Sequence, residues 1–184
     1  MRQKNCSSSF TLLQCQRCGT CCSEPVVPVT DSDIKRICAY LNKPARKLVK
    51  FVSPAEISYD PEADLWINFR YGKRAMTLRK VRDRCAFLSD KGCAIYAVRP
   101  FTCRTFPYDV VLKSPKSTTI ESLGLLSIVD CKAKPSNENS LSEVVENVRR
   151  ESEQDRRYHR LVEKWNRLAP VGGTLDFLNF ARLE

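Results

Sequence analysis

The chain has 184 residues, of which 42% are hydrophobic, with a formal net charge of +10 and ten cysteines. A chain of this length can bury a core without disulfides, and its cysteine content is below that of secreted disulfide scaffolds. Residues 1–14 lack the apolar segment of a signal peptide, and the longest apolar run, residues 123–129, is too short to cross a bilayer. We therefore expect a cytoplasmic protein whose cysteines serve metal or redox chemistry rather than cross-linking.

A dense cysteine motif follows the polar start. Cys15, Cys18, Cys21 and Cys22 have the spacing C-x2-C-x2-C-C. Two successive C-x2-C steps place three thiolates so that one metal centre can bind them, whereas Cys22 points elsewhere because neighbouring side chains diverge. The spacing suits soft-metal binding and fits poorly with the strict geometry of a disulfide.

Two short helices are predicted next. Thr30 and Asp33 predict a helix start that resembles a capping box, and the following apolar residues share one helical face. These residues are Ile34, Ile37, Cys38 and Leu41. Pro44 predicts a second helix over residues 45–51. Residues 54–64 have the composition of a loop.

Alternating apolar residues over 65–71 predict a half-buried strand, with a turn at Gly72-Lys73 and a partner strand over 75–81. Lysine and arginine cluster along this hairpin, at Arg70, Lys73, Arg74, Arg79, Lys80, Arg82 and Arg84. We interpret the cluster mainly as a solvated basic surface that offsets part of the charge of metal-bound thiolates. The alternative is that the cluster docks an acidic protein surface. Nucleic acid is a further candidate partner, but no nucleic-acid-binding module is recognisable in the sequence.

The remaining cysteines of interest, Cys85, Cys93, Cys103 and Cys131, are single rather than paired. A turn is predicted over 89–92, with short strands over 109–113 and within 120–129, and a polar linker over 132–139. Ser140 and Glu143 predict the start of a long helix that ends near Leu168, with a solvated charged run over 149–157. A last helix is expected over 175–183.

These elements predict an α+β fold: a small irregular cysteine-cluster domain with short helices and a β-hairpin, followed by a long C-terminal helix. We expect a metal-binding domain over residues 1–135 and a helical segment over 136–184 that packs on it. Cys6 and Cys38 are expected to be ordinary thiols, and His159 a surface residue.

The chain resembles the YkgJ-type cysteine-cluster family, the CxxCxxCC proteins, described as a zinc- or iron-chelating domain. The resemblance covers roughly residues 12–131 and rests on three blocks. They read Cys15-x2-Cys18-Gly19-x-Cys21-Cys22, then Cys85-x-Phe87-Leu88, then Cys93-x-Ile95-Tyr96-x2-Arg99-Pro100-x2-Cys103-Arg104-x-Phe106-Pro107. Relatives have been described as iron–sulfur oxidoreductases, and the family also resembles flagellin lysine N-methylases.

The resemblance implies metal binding. Eight cysteines suffice for two four-thiolate centres, and iron–sulfur clusters and zinc both accept such ligands. We favour [4Fe–4S]: one cluster bound by Cys15, Cys18, Cys21 and a remote cysteine such as Cys131, and a second centre bound by Cys22, Cys85, Cys93 and Cys103. Zinc is the alternative, as is one cluster together with one zinc. Tyr96, Arg99 and Arg104 are expected beside the thiolates.

Three functions remain open from the sequence. In the first, the protein is a redox or accessory partner, for example of an enzyme that modifies proteins. In the second, it is itself an enzyme, with no catalytic residue that can be assigned. In the third, its metal is structural and its basic hairpin binds nucleic acid or protein. A single histidine offers little support for nucleophilic catalysis. The substrate and the oligomeric state are not specified by these patterns.

Overall fold

The computed structural model describes residues 12–23, 26–57, 65–114, 117–126, 131–135, 140–168 and 172–184. Within these ranges the α-helices are α1 (Thr20–Ser23), α2 (Asp31–Leu41), α3 (Phe101–Thr105), α4 (Leu141–Arg167) and α5 (Thr174–Phe180). The strands are β1 (Leu13–Gln14), β2 (Val49–Val52), β3 (Ile67–Phe69), β4 (Gly72–Leu78), β5 (Lys80–Val81), β6 (Arg84–Cys85), β7 (Leu88–Ser89), β8 (Gly92–Cys93), β9 (Tyr108–Leu112), β10 (Ile120–Leu125) and β11 (Lys134–Pro135). The α+β class is confirmed, including the long helix near the C-terminus.

The predicted start of α2 is confirmed in detail. The Thr30 side chain accepts a hydrogen bond from the backbone N–H of Asp33, and the Asp33 carboxylate accepts one in return from the Thr30 N–H. Asp therefore replaces the usual Glu or Gln of a capping box without losing either bond. Ile34 and Ile37 are fully buried, as the helical spacing predicts.

The helix predicted over 45–51 is wrong beyond its first turn. Residues Ala45–Lys47 form a single 3-10 turn, after which Val49–Val52 extend as β2 and pair antiparallel with β4. The β-branched residues Val49 and Val52 suit a strand, and both side chains are buried there. Pairing with β4 thus outweighs the local helix signal of Pro44.

The predicted hairpin is confirmed with a shifted turn. Phe69 pairs with Gly72, so the two turn residues are Arg70 and Tyr71, and Gly72 begins β4 with φ +107°. Strands β2, β4 and β3 form one antiparallel sheet in that order. The predicted partner strand over 75–81 is divided into β4 and β5.

A common core joins the sheet to α2, α4 and α5. Trp165 of α4 and Phe177 of α5 meet edge to face, with ring centroids 5.5 Å apart, and both rings pack against Phe69. The Trp165 indole N–H donates to the Asn68 carbonyl, and the Asn166 side chain bonds the backbone on both sides of Ile67. The C-terminal helices therefore share their hydrophobic core with the residues before them, while the division at 135/136 stays a prediction.

The charged run of α4 is less solvated than predicted. Glu151 and Asp155 are half-buried where α4 packs against α3 and α2. Burial raises the pKa of Asp155 to about 6, with a further contribution from the negative charge of Asp33. Arg36 of α2 lies at the same interface and bonds Asp33 and the Gln154 side chain.

The other strands form two-stranded antiparallel pairs, β5 with β6, β7 with β8, β9 with β10 and β1 with β11. The two strands predicted over 109–113 and within 120–129 are present as β9 and β10, while the predicted linker contains β11, which pairs with β1 at the start of the described chain. The Tyr108 hydroxyl bonds the backbone of Leu13 and so ties β1 to β9. No helix within the described ranges is long and apolar enough to cross a membrane.

Candidate metal centre

All eight predicted cysteines line one cavity. Its volume is about 360 Å³, within the range of sites that hold small ligands or cofactors. The thiols come from four separate parts of the chain: Cys15, Cys18, Cys21, Cys22, Cys85, Cys93, Cys103 and Cys131. The structure thus brings together every cysteine that the sequence assigned to a metal, although their role as ligands stays a prediction.

Cys15 and Cys18 lie on a loop that leads into α1, and Cys21 and Cys22 lie within that helix. Gly19 has φ +80°, and a Cβ at that position would lie 3.0 Å from both terminal methyl carbons of Leu88. Gly92 has φ +93°, and a Cβ at that position would lie 3.3 Å from the Arg17 Cβ. The β7–β8 hairpin therefore packs directly on the cysteine loop, and the two glycines allow the close approach.

Cys85 and Cys93 lie at corresponding positions of two tight hairpins. Cys85 ends β6 after the turn at Arg82 and Asp83, both in the left-handed region, and Cys93 ends β8 after a turn at residues 90–91. Two-residue turns of this kind fix the register of the strands they join. Each turn therefore fixes the place of one thiol at the cavity.

Cys131 reaches the same cavity through the pairing of β11 with β1. The backbone N–H of Lys132 is directed at the sulfur of Cys18. The pairing of β1 with β11 places Cys131 beside the loop that carries the first cysteines. No C-x2-C spacing in the sequence indicates that neighbourhood.

The Cys15 sulfur accepts a hydrogen bond from the Arg17 N–H at 3.4 Å, and the corresponding N–H groups act on four more sulfurs in the direction that lowers the thiol pKa. The pairs are Cys15 with Arg17, Cys18 with Thr20, Cys85 with Phe87, Cys93 with Ile95, and Cys131 with Ala133. Such bonds stabilise a sulfur that carries negative charge, and they tune metal centres bound by thiolates. A buried thiol used only for packing would have no need of this repeated arrangement.

The thiols differ in how readily they ionise. The Thr20 hydroxyl lies 3.3 Å from the Cys18 sulfur and lowers the pKa of that thiol, assisted by the Thr20 and Lys132 N–H groups. A hydrogen bond from Cys22 lowers the pKa of Cys21 and correspondingly raises that of Cys22. Cys18 and Cys21 are therefore the thiols best prepared to lose a proton and bind a metal.

On the other side of the cavity, ionisation of the thiols is unfavourable unless a cation is present. Burial raises the pKa values of Cys85, Cys93 and Cys103, and the charges of neighbouring cysteines raise them further. The Arg99 guanidinium acts in the opposite direction on Cys93 and Cys103. Thiols that repel one another when ionised are those that a shared metal centre would stabilise.

The predicted neighbours Tyr96, Arg99 and Arg104 have separate roles. Arg99 and Tyr96 line the cavity, and the Arg99 guanidinium carbon lies 4.0 Å from the centre of the Tyr96 ring. Arg104 instead donates to the backbone carbonyls of Ala97 and Arg99, at 2.8 and 3.0 Å. It therefore orients the segment that carries Tyr96 and Arg99.

The CxxCxxCC family model, described as "Putative zinc- or iron-chelating domain", matches residues 14–125. The chain belongs to this family. An uncharacterised protein of Methanocaldococcus jannaschii is 33% identical over 106 residues, which cover 56% of this chain and 49% of that relative. The chain thus spans about half the length of the relative. No solved structure matches it.

Membership in the CxxCxxCC family confirms the resemblance drawn from the three sequence blocks and makes this a metal-binding domain. Cys131 lies beyond the matched residues, and its place at the cavity comes from the structure alone. Within the described ranges, no three cysteine, histidine, aspartate or glutamate side chains are arranged around a common point as ligands of a single ion.

The residues set apart from the motif lie elsewhere. Cys38 is half-buried against the hydrophobic core, and burial raises the pKa of its thiol. His159 is a half-buried residue of α4 that does not line the cavity. Cys6 lies outside the described residues.

Three cavity residues have no advance signal in the sequence. Thr20 and Arg17 occupy positions that the cysteine spacing leaves unspecified, and Glu151 belongs to the charged run of α4. Burial raises the pKa of the Glu151 carboxyl, and the side chains of Thr102 and Thr105 partly offset this by lowering it. Only the packing of α4 on α3 shows that Glu151 faces the thiols.

Proposed function

We propose that the eight cysteines bind iron–sulfur centres, including at least one [4Fe–4S] cluster, and that the protein is a redox or accessory partner of another enzyme. The observation that carries the proposal is the single cavity lined by eight thiols. A zinc ion or one [4Fe–4S] cluster takes four protein ligands, so eight thiols provide for two such centres. The cavity donors suit iron–sulfur chemistry because cysteine is its usual ligand.

The backbone bonds to sulfur support this choice. Iron–sulfur clusters carry net negative charge with four thiolates, and N–H···S hydrogen bonds set their potentials. Backbone N–H groups of this kind act on five of the eight sulfurs, and the Arg99 guanidinium adds positive charge beside Cys21, Cys93 and Cys103. These groups stabilise thiolate charge without occupying a ligand position.

Electrostatic neighbours favour the division of ligands expected from the sequence. The Cys131 thiol interacts with Cys15, Cys18 and Cys21, which are the proposed ligands of the first cluster. The Cys22 thiol interacts most with Cys21, and then with Cys85 and Cys103 of the second set. Cys21 also interacts with Cys85 and Cys103, and both Cys15 and Cys21 act on Cys93, so the two sets are adjacent in one cavity rather than in separate sites.

The proposed role is electron transfer or support of protein modification. A [4Fe–4S] cluster supplies one-electron transfer when bound. Cys15 and Cys18 are exposed, so the first set of ligands lies at the protein surface, where a partner can approach. The basic hairpin and the β5–β6 turn, with Lys73 and Arg82 exposed, suit an acidic partner surface. The enzyme itself is not specified.

Metal and acid-labile sulfide content per chain, measured after anaerobic purification, tests the proposal. We expect iron and sulfide in near-equal amounts, brown colour with sulfur-to-iron charge-transfer absorbance, and reversible reduction. Colourless protein that contains zinc and no sulfide would sink the cluster assignment. Iron without reversible reduction would instead remove the redox role.

Zinc remains the second candidate because the family description names it. In that case the metal is structural, and the basic hairpin becomes a contact surface for nucleic acid or protein. Zinc-loaded protein would then bind a DNA or RNA oligonucleotide with an affinity that falls steeply as salt rises. Salt-independent or undetectable binding would leave a protein contact as the only use of that surface.

A further inference from the structure

Two arginines are held on one aromatic ring at the cavity. The guanidinium carbons of Arg17 and Arg99 lie 4.1 and 4.0 Å from the centroid of Tyr96. All three residues line the cavity beside the cysteines. Stacking on an aromatic face restrains the plane of a guanidinium and leaves its edge N–H groups available to a ligand.

The backbone that carries this group is firmly fixed. The Arg99 carbonyl accepts hydrogen bonds from the side chains of Arg36 and Arg104, at 3.2 and 3.0 Å. Arg36 also bonds the Val98 carbonyl, and thereby fastens the segment to α2. Arg17 lies close to Gly92 of β8, since a Cβ on that glycine would come within 3.3 Å of the Arg17 Cβ.

The two charges are not used by carboxylates. The described residues form several ion pairs along α2 and α4 and one between Arg46 and Glu184, but Arg17 and Arg99 take part in none of them. Arg17 is exposed and Arg99 is half-buried, so one guanidinium faces solvent at the cavity mouth and the other lies closer to the thiols. Paired guanidiniums in a pocket bind carboxylate and phosphate groups through bidentate, charge-assisted hydrogen bonds.

We propose that Arg17, Tyr96 and Arg99 form a binding site for a small molecule that carries a carboxylate or phosphate group, placed beside the metal centre. A small ligand is favoured over an acidic protein surface because these residues line a cavity of small-molecule size. The inference rests on the proposed metal centre for its chemical setting only. The site would let a bound anion contact the protein next to Cys21 and Cys93.

The competing explanation is that both arginines serve only to neutralise thiolates. Arg99 clearly has such an effect on Cys21, Cys93 and Cys103. Arg17 differs, because its side chain is exposed and its contact within the site is the Tyr96 ring. Arg17 is therefore the residue whose replacement separates ligand binding from effects on the centre.

The test is calorimetric titration of the metal-loaded protein with inorganic phosphate and, separately, with succinate, at constant ionic strength set by sodium chloride. We expect saturable binding of at least one anion. Arg17→Gln should weaken it by about tenfold or more, as expected for a charged hydrogen bond. Arg160→Gln, which removes an exposed arginine of α4 that does not line the cavity, is the matched control and should bind like the parent protein.

The anion that binds more tightly identifies a phosphate or a carboxylate as the favoured group. Unsaturable heats with both probes, or equal affinities for the parent protein and Arg17→Gln, would overturn the proposal. Arg17→Lys tests the geometry, since it keeps the charge but loses the planar fork, and we expect it to recover only part of the affinity.

Failure of this site and failure of the proposed function are distinguishable. Metal and sulfide content decide the nature of the centre, whereas calorimetry detects anion binding whichever metal is present. Arg17→Gln should retain the metal content of the parent protein. Loss of metal together with anion binding in that variant would contradict the separate role assigned to Arg17.

Discussion

Cys21 occupies the centre of the thiol arrangement. It accepts a hydrogen bond from Cys22, and its charge acts on Cys85, Cys103 and Cys131, which belong to three different parts of the chain. No other feature of its local sequence distinguishes it from Cys15 or Cys18. A residue that interacts with both proposed ligand sets should be among the most sensitive to substitution.

We predict that Cys21→Ser loses at least half of the bound metal and lowers the thermal midpoint, because metal-binding energy is also folding energy. Cys38→Ser is the matched control, since Cys38 lies against the core and away from the cavity. It should keep the full metal content and lose about 1 kcal/mol of stability. Metal analysis and thermal unfolding of both variants provide the check, and metal loss confined to Cys38→Ser would reverse the assignment.

Asp155 gives a prediction for pH. Its pKa is raised from 3.8 to about 6 because it is buried near Asp33, so its ionisation destabilises the folded state. The stabilising effect of the neutral form is complete below about pH 4 and is lost as pH rises through about 6. Asp155→Asn should therefore stabilise the protein by up to about 3 kcal/mol near pH 7.5, and by about half as much near pH 5.

Denaturant unfolding of the metal-loaded protein at the two pH values measures this difference. Asp109→Asn, which changes an exposed carboxylate of β9, is the control and should show little effect at either pH. A gain for Asp155→Asn that is the same at both pH values would assign the effect to packing rather than to ionisation.

At the scale of elements, the site depends on contacts between short pieces that have little stability alone. Two-residue strands and a four-residue helix do not persist in isolation, so their positions depend on packing against one another. The β7–β8 hairpin contacts the cysteine loop where Leu88 packs against Gly19.

Gly19→Ala should disturb this contact. The residue has φ +80°, which disfavours a side chain, and the new methyl would press on Leu88. We expect destabilisation of about 1–2 kcal/mol and faster release of metal to a chelator. Gly124→Ala is the control, because a Cβ there would lie 4.0 Å from the Asp109 Cβ, an ordinary contact distance. Equal chelation rates for the two variants would show that the hairpin contact does not support the site.

The elements also show what a single sequence can predict. Capping residues and alternating apolar patterns predicted α2, the β3–β4 hairpin and α4, because their signals are local. The local sequence of β2 predicts a helix because the pairing of β2 with β4 depends on residues distant in the chain, and the local sequence of β11 predicts a linker for the same reason. The cysteines of the cavity were identified by spacing and by family resemblance, but Arg17 and Glu151 were not, because only folding brings them to the thiols.

At the scale of the whole molecule, the metal site and the hydrophobic core are distinct. The core is built from α2, the β2–β4–β3 sheet, α4 and α5, and its fully buried residues include Ile34, Ile67 and Phe177. The cysteines lie at its margin, where Cys85 and Cys93 are only partly buried. The core should therefore keep much of its structure when the metal is removed.

We predict that chelation under anaerobic conditions leaves most of the far-ultraviolet circular dichroism, which α2 and α4 dominate, while the thermal midpoint falls. Limited proteolysis of the metal-depleted protein should cut first within residues 12–23 and 131–135, where the thiols no longer share a bound metal. Complete loss of helical signal on chelation would show that metal holds the entire fold, and would favour a structural metal.

The pairing of β1 with β11 has a consequence for how the protein is made. Cys131 leaves the ribosome more than a hundred residues after Cys22, which is on the order of ten seconds later at common rates of translation. During that interval the early thiols are exposed to oxidants and to any free metal ion in their surroundings. The proposed ligand set of Cys15, Cys18, Cys21 and Cys131 therefore cannot be complete on the nascent chain until synthesis has passed Cys131.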